Sequence, residues 1–127
     1  MKGQITLEYM VLSLVVIALL SIAITALITI RDNSDKALDV VLFKSSARDL
    51  YNAMEEVCAM GDGNSMEVYL KKDVSVSDAG GYLEFSSPLP HVNGTIKYES
   101  FCVLESDADS LSGNVVVYNN EGKIAFG

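Results

Sequence analysis

The chain has 127 residues, of which 50% are hydrophobic and 20% are charged, and its formal net charge is -8. This length allows one domain with a modest core. Lys2 and Glu8 offset each other, so the acidic excess lies after Ile30. An acidic surface repels phosphate backbones, and no basic patch with interleaved aromatic residues is present, so nucleic-acid binding is excluded.

The most apolar part of the chain runs from Tyr9 to Ile30, carries no charged side chain and consists mainly of Leu, Ile, Val and Ala. As an α-helix it would be about 33 Å long, which is enough to cross the hydrocarbon core of a bilayer. In a secretory signal the small residues at the cleavage site follow the apolar run. Here Gly3 precedes it, so a cut after Gly3 would leave a transmembrane segment, residues 9–30, on the mature chain.

A second helical pattern follows the apolar run. The polar residues Arg31 to Asp35 allow a bend, or a new helix capped at Asn33 or Ser34. Further on, apolar residues recur every three or four positions and form one helix face: Val40, Phe43, Ala47, Leu50, Met54 and Val57. Gly61 and Gly63 are typical of a helix end. We therefore expect one long helix over residues 4–60.

The remaining residues alternate with a period of two, which predicts strands. The alternating segments are 66–71, 81–85, 95–99, 114–118 and 123–126. Asn119 to Gly122 suits a hairpin turn, and Pro88 and Pro90 indicate a loop. The expected fold class is α+β: a long N-terminal hydrophobic helix whose C-terminal half packs against a small antiparallel sheet of four or five strands, with residues 61–127 forming a head domain.

The two cysteines, Cys58 and Cys102, both follow the apolar run. Two buried thiols would behave as small hydrophobic side chains. An extracellular location favours a disulfide between them instead.

The first residues carry a specific pattern: Lys2-Gly3-Gln4, then Thr6 and Glu8, directly before the apolar run. This segment resembles the class III signal peptide of archaeal type IV pilins. In that family a short basic leader ends in Gly, and the mature chain begins with Gln, has Ser or Thr third and has Glu fifth. Thr6 replaces the commoner Ser and keeps the hydroxyl.

The resemblance implies that residues 1–3 are a leader, which a prepilin peptidase removes between Gly3 and Gln4. The chain would wait in membrane lipid as a single-pass protein. A pilus assembly ATPase and a membrane platform would then polymerise it into an extracellular, adhesive filament. Gln4, Thr6 and Glu8 would form the processing and assembly motif, in which Glu8 aids docking and favours a pilin over an archaellin. If Gln4 cyclises to a lactam, Glu8 would bond to the backbone or to a hydroxyl such as that of Thr6.

Two alternatives stay open at this point. The first is a minor pilin-like or pseudopilin component, which would be scarce in purified filaments. A single-span protein that anchors an extracellular binding domain would show neither cleavage at Gly3 nor a polymer.

Several further residues invite a functional interpretation. Ser13, Ser21, Thr25 and Thr29 share one helix row, where they permit close helix packing or bond to their own backbone. Asn93-Gly94-Thr95 is a glycosylation sequon in a predicted exposed loop.

Glu105, Asp107 and Asp109 alternate in a predicted loop but lack the features of a calcium loop, which favours a solvated acidic loop. His91 has no acid or base partner at a recognisable spacing, and no catalytic motif is present, so we expect no enzyme, no cofactor and no metal.

Overall fold

The computed structural model describes residues 2–127, so Met1, the first residue of the expected leader, lies outside the described part. Helix α1 covers Lys2–Met60. Six strands follow: β1 (Ser65–Asp78), β2 (Tyr82–Ser86), β3 (Thr95–Glu99), β4 (Val103–Leu104), β5 (Ala108–Asn120) and β6 (Lys123–Phe126). The chain divides into two compact units, of which the first ends at Asp35 and the second is Lys36–Gly127.

The first unit is the N-terminal part of α1. The helix continues through the polar residues Arg31 to Ser34, so no new helix begins at Asn33 or Ser34. Asn and Ser lower helix stability by only about 0.5 kcal/mol each, which does not interrupt the ladder of backbone hydrogen bonds. The hydroxyls of Ser21 and Thr25 donate to the carbonyls of Ile17 and Ser21, and Ser13 and Thr29 bond to their own helix in the same way.

In the second unit, α1 buries one face against the sheet, and this is the face that the sequence predicts. Its buried residues are Phe43, Ser46, Ala47, Leu50, Ala53, Met54 and Val57. Val40 is half-buried beside them. The helix ends as expected: Gly61 has φ 89°, and its N–H donates to the carbonyl of Cys58 at 3.3 Å. The Asn64 amide donates to the carbonyl of Met60 at 2.8 Å.

The sheet confirms the expected α+β fold and adds detail to it. The strand order is β3-β2-β1-β5-β6-β4, and every neighbouring pair is antiparallel except β4 and β6. The sheet has six strands because the two-residue β4 also pairs, parallel to β6, and a strand that short leaves no alternation to read. β1 and β5 extend well beyond the predicted segments, and β5 takes in Asp109, so this carboxylate lies on a strand and not in a loop.

A buried helix side chain compensates for an irregularity in β1. The register between β1 and β5 shifts after Leu70. The Ser46 hydroxyl accepts hydrogen bonds there from the backbone N–H groups of Lys71 and Lys72, at 3.0 and 3.2 Å. Unpaired buried backbone donors are costly, so Ser46 satisfies two groups that the sheet leaves free.

The hairpin between β5 and β6 forms where it was predicted. Asn120 pairs with Lys123, and the two residues between them, Glu121 and Gly122, have φ 54° and 84°. Positive φ at both central positions is the geometry of the tight hairpin turn that matches strand twist. The Asn119 side chain accepts from the N–H of Gly122 at 2.9 Å.

Candidate functional site

The N-terminal motif lies on the first turns of α1. Gly3, Gln4, Thr6 and Glu8 are all exposed. A Cβ atom added to Gly3 would meet nothing within 4 Å, so the fold does not require glycine at this position. The Thr6 hydroxyl donates to the carbonyl of Lys2 at 2.9 Å.

The apolar segment is exposed along its whole length in the part of the chain that the structure describes. A window of this helix has mean hydropathy 2.9, and none of that window is buried. Ile22 and Leu27, for example, are 67% and 66% exposed. By length and composition α1 is the single helix of residues 2–127 that is able to cross a membrane.

Cys58 and Cys102 form a disulfide, as the sequence indicated, with Cα atoms 6.2 Å apart. The bond joins the last turn of α1 to the loop between β3 and β4. Residues 2–127 contain no free cysteine.

Ser100 holds the loop that carries Cys102 at two points, Gly81 and Glu55, and makes one hydrogen bond within the loop. The N–H of Ser100 donates to the carbonyl of Gly81, and its hydroxyl donates to Glu55 and accepts from the N–H of Cys102. Just before the loop, the Tyr51 hydroxyl donates to the carbonyl of Glu99 at 2.8 Å. Burial, followed by the charge of Glu55, raises the pKa of this tyrosine.

Between these anchors, the side chain of Phe101 is fully exposed. Sequence reasoning missed this surface, although the signal was present. From residue 99 to residue 105 the side chains alternate: Ser100, Cys102 and Leu104 are buried, whereas Glu99, Phe101, Val103 and Glu105 are exposed. The outward-facing hydrophobic pair, Phe101 and Val103, is the sequence signal of this surface.

His91 has a partner that no local spacing revealed. Its Nε2 atom lies 2.6 Å from Oδ2 of Asp39, whose Oδ1 atom lies 2.6 Å from Nζ of Lys72. The hydrogen bond from Lys72, and next the one from His91, lower the pKa of Asp39. The cluster ties the proline loop and β1 to α1.

The sequon asparagine, Asn93, lies two residues beyond His91. It is exposed, in the loop before β3, as the sequence indicated. The loop therefore leaves its amide accessible.

The three alternating acids do not converge on one point. Oδ1 of Asp107 accepts from the N–H of Asp78 at 3.2 Å, and Asp109 lies on β5. Over residues 2–127, no group of three or more His, Cys, Asp or Glu side chains is placed to hold one metal ion.

Comparison with known proteins adds no relative. No family model matches the sequence, and neither a curated protein nor a solved structure matches it. What the chain does must therefore be argued from its own residues.

Proposed function

We propose that the chain is the precursor of an archaeal type IV pilin-like subunit, cleaved between Gly3 and Gln4 and polymerised through its N-terminal helix into an adhesive surface filament. One observation carries the proposal: the segment from Tyr9 to Ile30 is exposed throughout in the described residues 2–127. The leader-like pattern of Lys2 to Glu8 directly precedes that segment and supports the same function.

The energetics require a partner for this segment. Each large aliphatic side chain that leaves water contributes about 1.5–3 kcal/mol, so the exposed run corresponds to tens of kcal/mol. Lipid covers it before assembly. Other copies of the same helix cover it after assembly. The same apolar surface thus lies first in lipid and then in the filament core.

Glu8 fits this change of environment. A carboxylate at the edge of an apolar segment is solvated while the helix lies in lipid with Glu8 among the headgroups. In a helix bundle it needs a donor from a neighbour. The donors are backbone N–H groups or the Thr6 hydroxyl, and the N-terminal amine serves where Gln4 has not cyclised.

The head then forms the outer surface of the filament. The disulfide suits an extracellular location. We propose that Asn93, exposed before β3, carries an N-linked glycan there. The partners in this proposal are further copies of the chain, a prepilin peptidase, an assembly ATPase with its membrane platform, and lipid before assembly.

The test is the N-terminal mass of the protein recovered from sheared cell-surface filaments. We expect a chain that starts at Gln4, with or without the lactam. Recovery of an uncleaved chain, found in the membrane fraction alone, would sink the proposal and leave a single-span anchored ectodomain. A correctly cleaved chain present at trace level in the filaments would identify a minor component.

A further inference from the structure

Two exposed surfaces of the second unit carry apolar groups beside unpaired charge of opposite sign. The first, the helix strip, consists of Leu38, Val41, Lys44 and Arg48 on α1. The second, the ridge, consists of Glu99, Phe101, Val103 and Glu105. The strip faces away from the sheet, because the residues that α1 buries are on its other side.

The helix strip has apolar side chains that are exposed in the described structure. Leu38 and Val41 are 55% and 61% exposed. Lys44 and Arg48 follow them on the same face and make no ion pair within residues 2–127. The strip is thus a hydrophobic patch with two free positive charges at one end, with Asp49 at its flank.

The ridge is the acidic counterpart of the strip. Phe101 and Val103 are 103% and 50% exposed. Glu99 and Glu105 flank them and likewise make no ion pair within the described residues. Lys123 is the cation closest in register, opposite Val103 on β6.

The backbone on both sides of Phe101 is anchored to the rest of the head. The buried residues that alternate with the ridge are bonded through the Cys58–Cys102 disulfide and through the Ser100 hydrogen bonds to Gly81 and Glu55. An aromatic anchor whose backbone is already fixed loses less conformational entropy on binding. Exposed aromatic residues in such positions are typical anchors of protein interfaces.

We propose that the ridge of one copy docks on the helix strip of a second copy. Phe101 and Val103 would cover Leu38 and Val41, and the two acids at the ends of the ridge would lie in the positive field of Lys44 and Arg48. The occupant is a second copy because one chain carries both complementary surfaces. A contact between two different surfaces propagates into an open polymer when its rotation does not close a ring, and a filament requires that case. The inference rests on the proposed function and names the contact between heads in that filament.

The test is a charge exchange in the full-length chain, measured as the amount of subunit in sheared filaments. Lys44→Glu with Arg48→Glu reverses the strip, and Glu99→Lys with Glu105→Lys reverses the ridge. Like charges facing each other oppose docking, so each pair alone should reduce filament yield by about tenfold or more. All four substitutions together restore opposite charges and should return the yield to within about threefold of wild type.

The matched control is Glu67→Lys with Lys71→Glu, two exposed charges on β1 outside both surfaces. This exchange should leave the yield unchanged. A second readout is direct: Phe101 is replaced by photo-reactive p-benzoylphenylalanine, and irradiated filaments should give a covalent dimer joined to the tryptic peptides of residues 37–48.

The outcomes separate the two hypotheses. Wild type that forms no filament refutes the proposed function and this contact with it. Wild-type filaments that tolerate either reversal, that are not rescued by the fourfold exchange, or that crosslink residue 101 elsewhere refute the contact alone.

Discussion

Asp39 is the side chain on which three segments of the head converge. Its two carboxylate oxygens bind Lys72 of β1 and His91 of the proline loop. Both hydrogen bonds favour the ionised form, so the pKa of Asp39 lies below its usual 3.8. A carboxyl whose pKa is lowered by folding stabilises the folded state above the pKa of the unfolded chain, and that contribution is lost as the pH falls through the lowered value.

Asp39→Asn should therefore unfold at lower denaturant concentration than wild type at neutral pH, and the difference should shrink as the pH falls below about 4. The measurement is guanidinium unfolding of the full-length protein in detergent at a series of pH values. Asp49→Asn is the control, since Asp49 is exposed and makes no ion pair within residues 2–127, and it should unfold like wild type. A deficit in Asp39→Asn that is constant down to pH 2 would contradict this account.

At the scale of elements, α1 has two opposite faces with two different tasks. Leu50 is 0% exposed and packs in the core, whereas Leu38 is 55% exposed on the strip. The same substitution at the two positions separates folding from assembly, because each removes the same atoms from a different environment.

Leu50→Ala should lower the free energy of unfolding of the head by about 2–5 kcal/mol, since it leaves a cavity. Leu38→Ala should change it by less than about 0.5 kcal/mol. Denaturant unfolding followed by the circular dichroism of the sheet compares the two. In filament assays with correctly folded protein, Leu38→Ala should lower the filament yield more than Leu50→Ala does. Equal destabilisation by both variants would show that the exposed face contributes to the fold.

The elements also show what sequence patterns reveal and what they miss. The buried stripe from Phe43 to Val57 has a period that only one helix face explains, and the hairpin at Glu121-Gly122 has local turn chemistry, so both were predictable. Ser46 was not, because its two partners are backbone N–H groups at an irregularity of β1 that no pattern signals. The link between His91 and Asp39 spans 52 residues and exists only after the sheet has folded.

The candidate sites also divide into those that the sequence predicts and those that it does not. The disulfide was predictable on the expectation of an extracellular location, which favours pairing of the two cysteines. The ridge at Phe101 was not predicted, because its alternation of buried and exposed residues continues across a loop and does not mark a strand there. The proposed leader motif consists of local residues, and a peptidase would read it from the sequence rather than from the fold.

At the scale of the whole molecule, the proposed cleavage is separable from folding. A Cβ atom added at Gly3 meets nothing within 4 Å, and the residues that form the core begin at Phe43. A change at the proposed leader would therefore alter what a processing enzyme recognises and leave the head as it is.

Gly3→Val should accumulate in the membrane as an uncleaved precursor with an intact Cys58–Cys102 disulfide, and should be absent from filaments. Intact-mass analysis of the membrane and sheared fractions measures both. Ile5→Val, a conservative change two residues away on the same exposed turn, is the control and should be processed. Normal cleavage and assembly of Gly3→Val would exclude Gly3 as the recognised residue.

The hydrogen bond from the Thr6 hydroxyl to the Lys2 carbonyl gives the proposed cut a second effect. Removal of residues 1–3 would take away the acceptor, so the hydroxyl of Thr6 would lose its partner in the first turn. An unpaired hydroxyl beside an apolar segment gains by donating to a carboxylate such as Glu8 of an adjacent helix. In the proposed filament, proteolysis would therefore act as a switch: the precursor keeps its donor occupied, and the mature chain offers it to the next subunit.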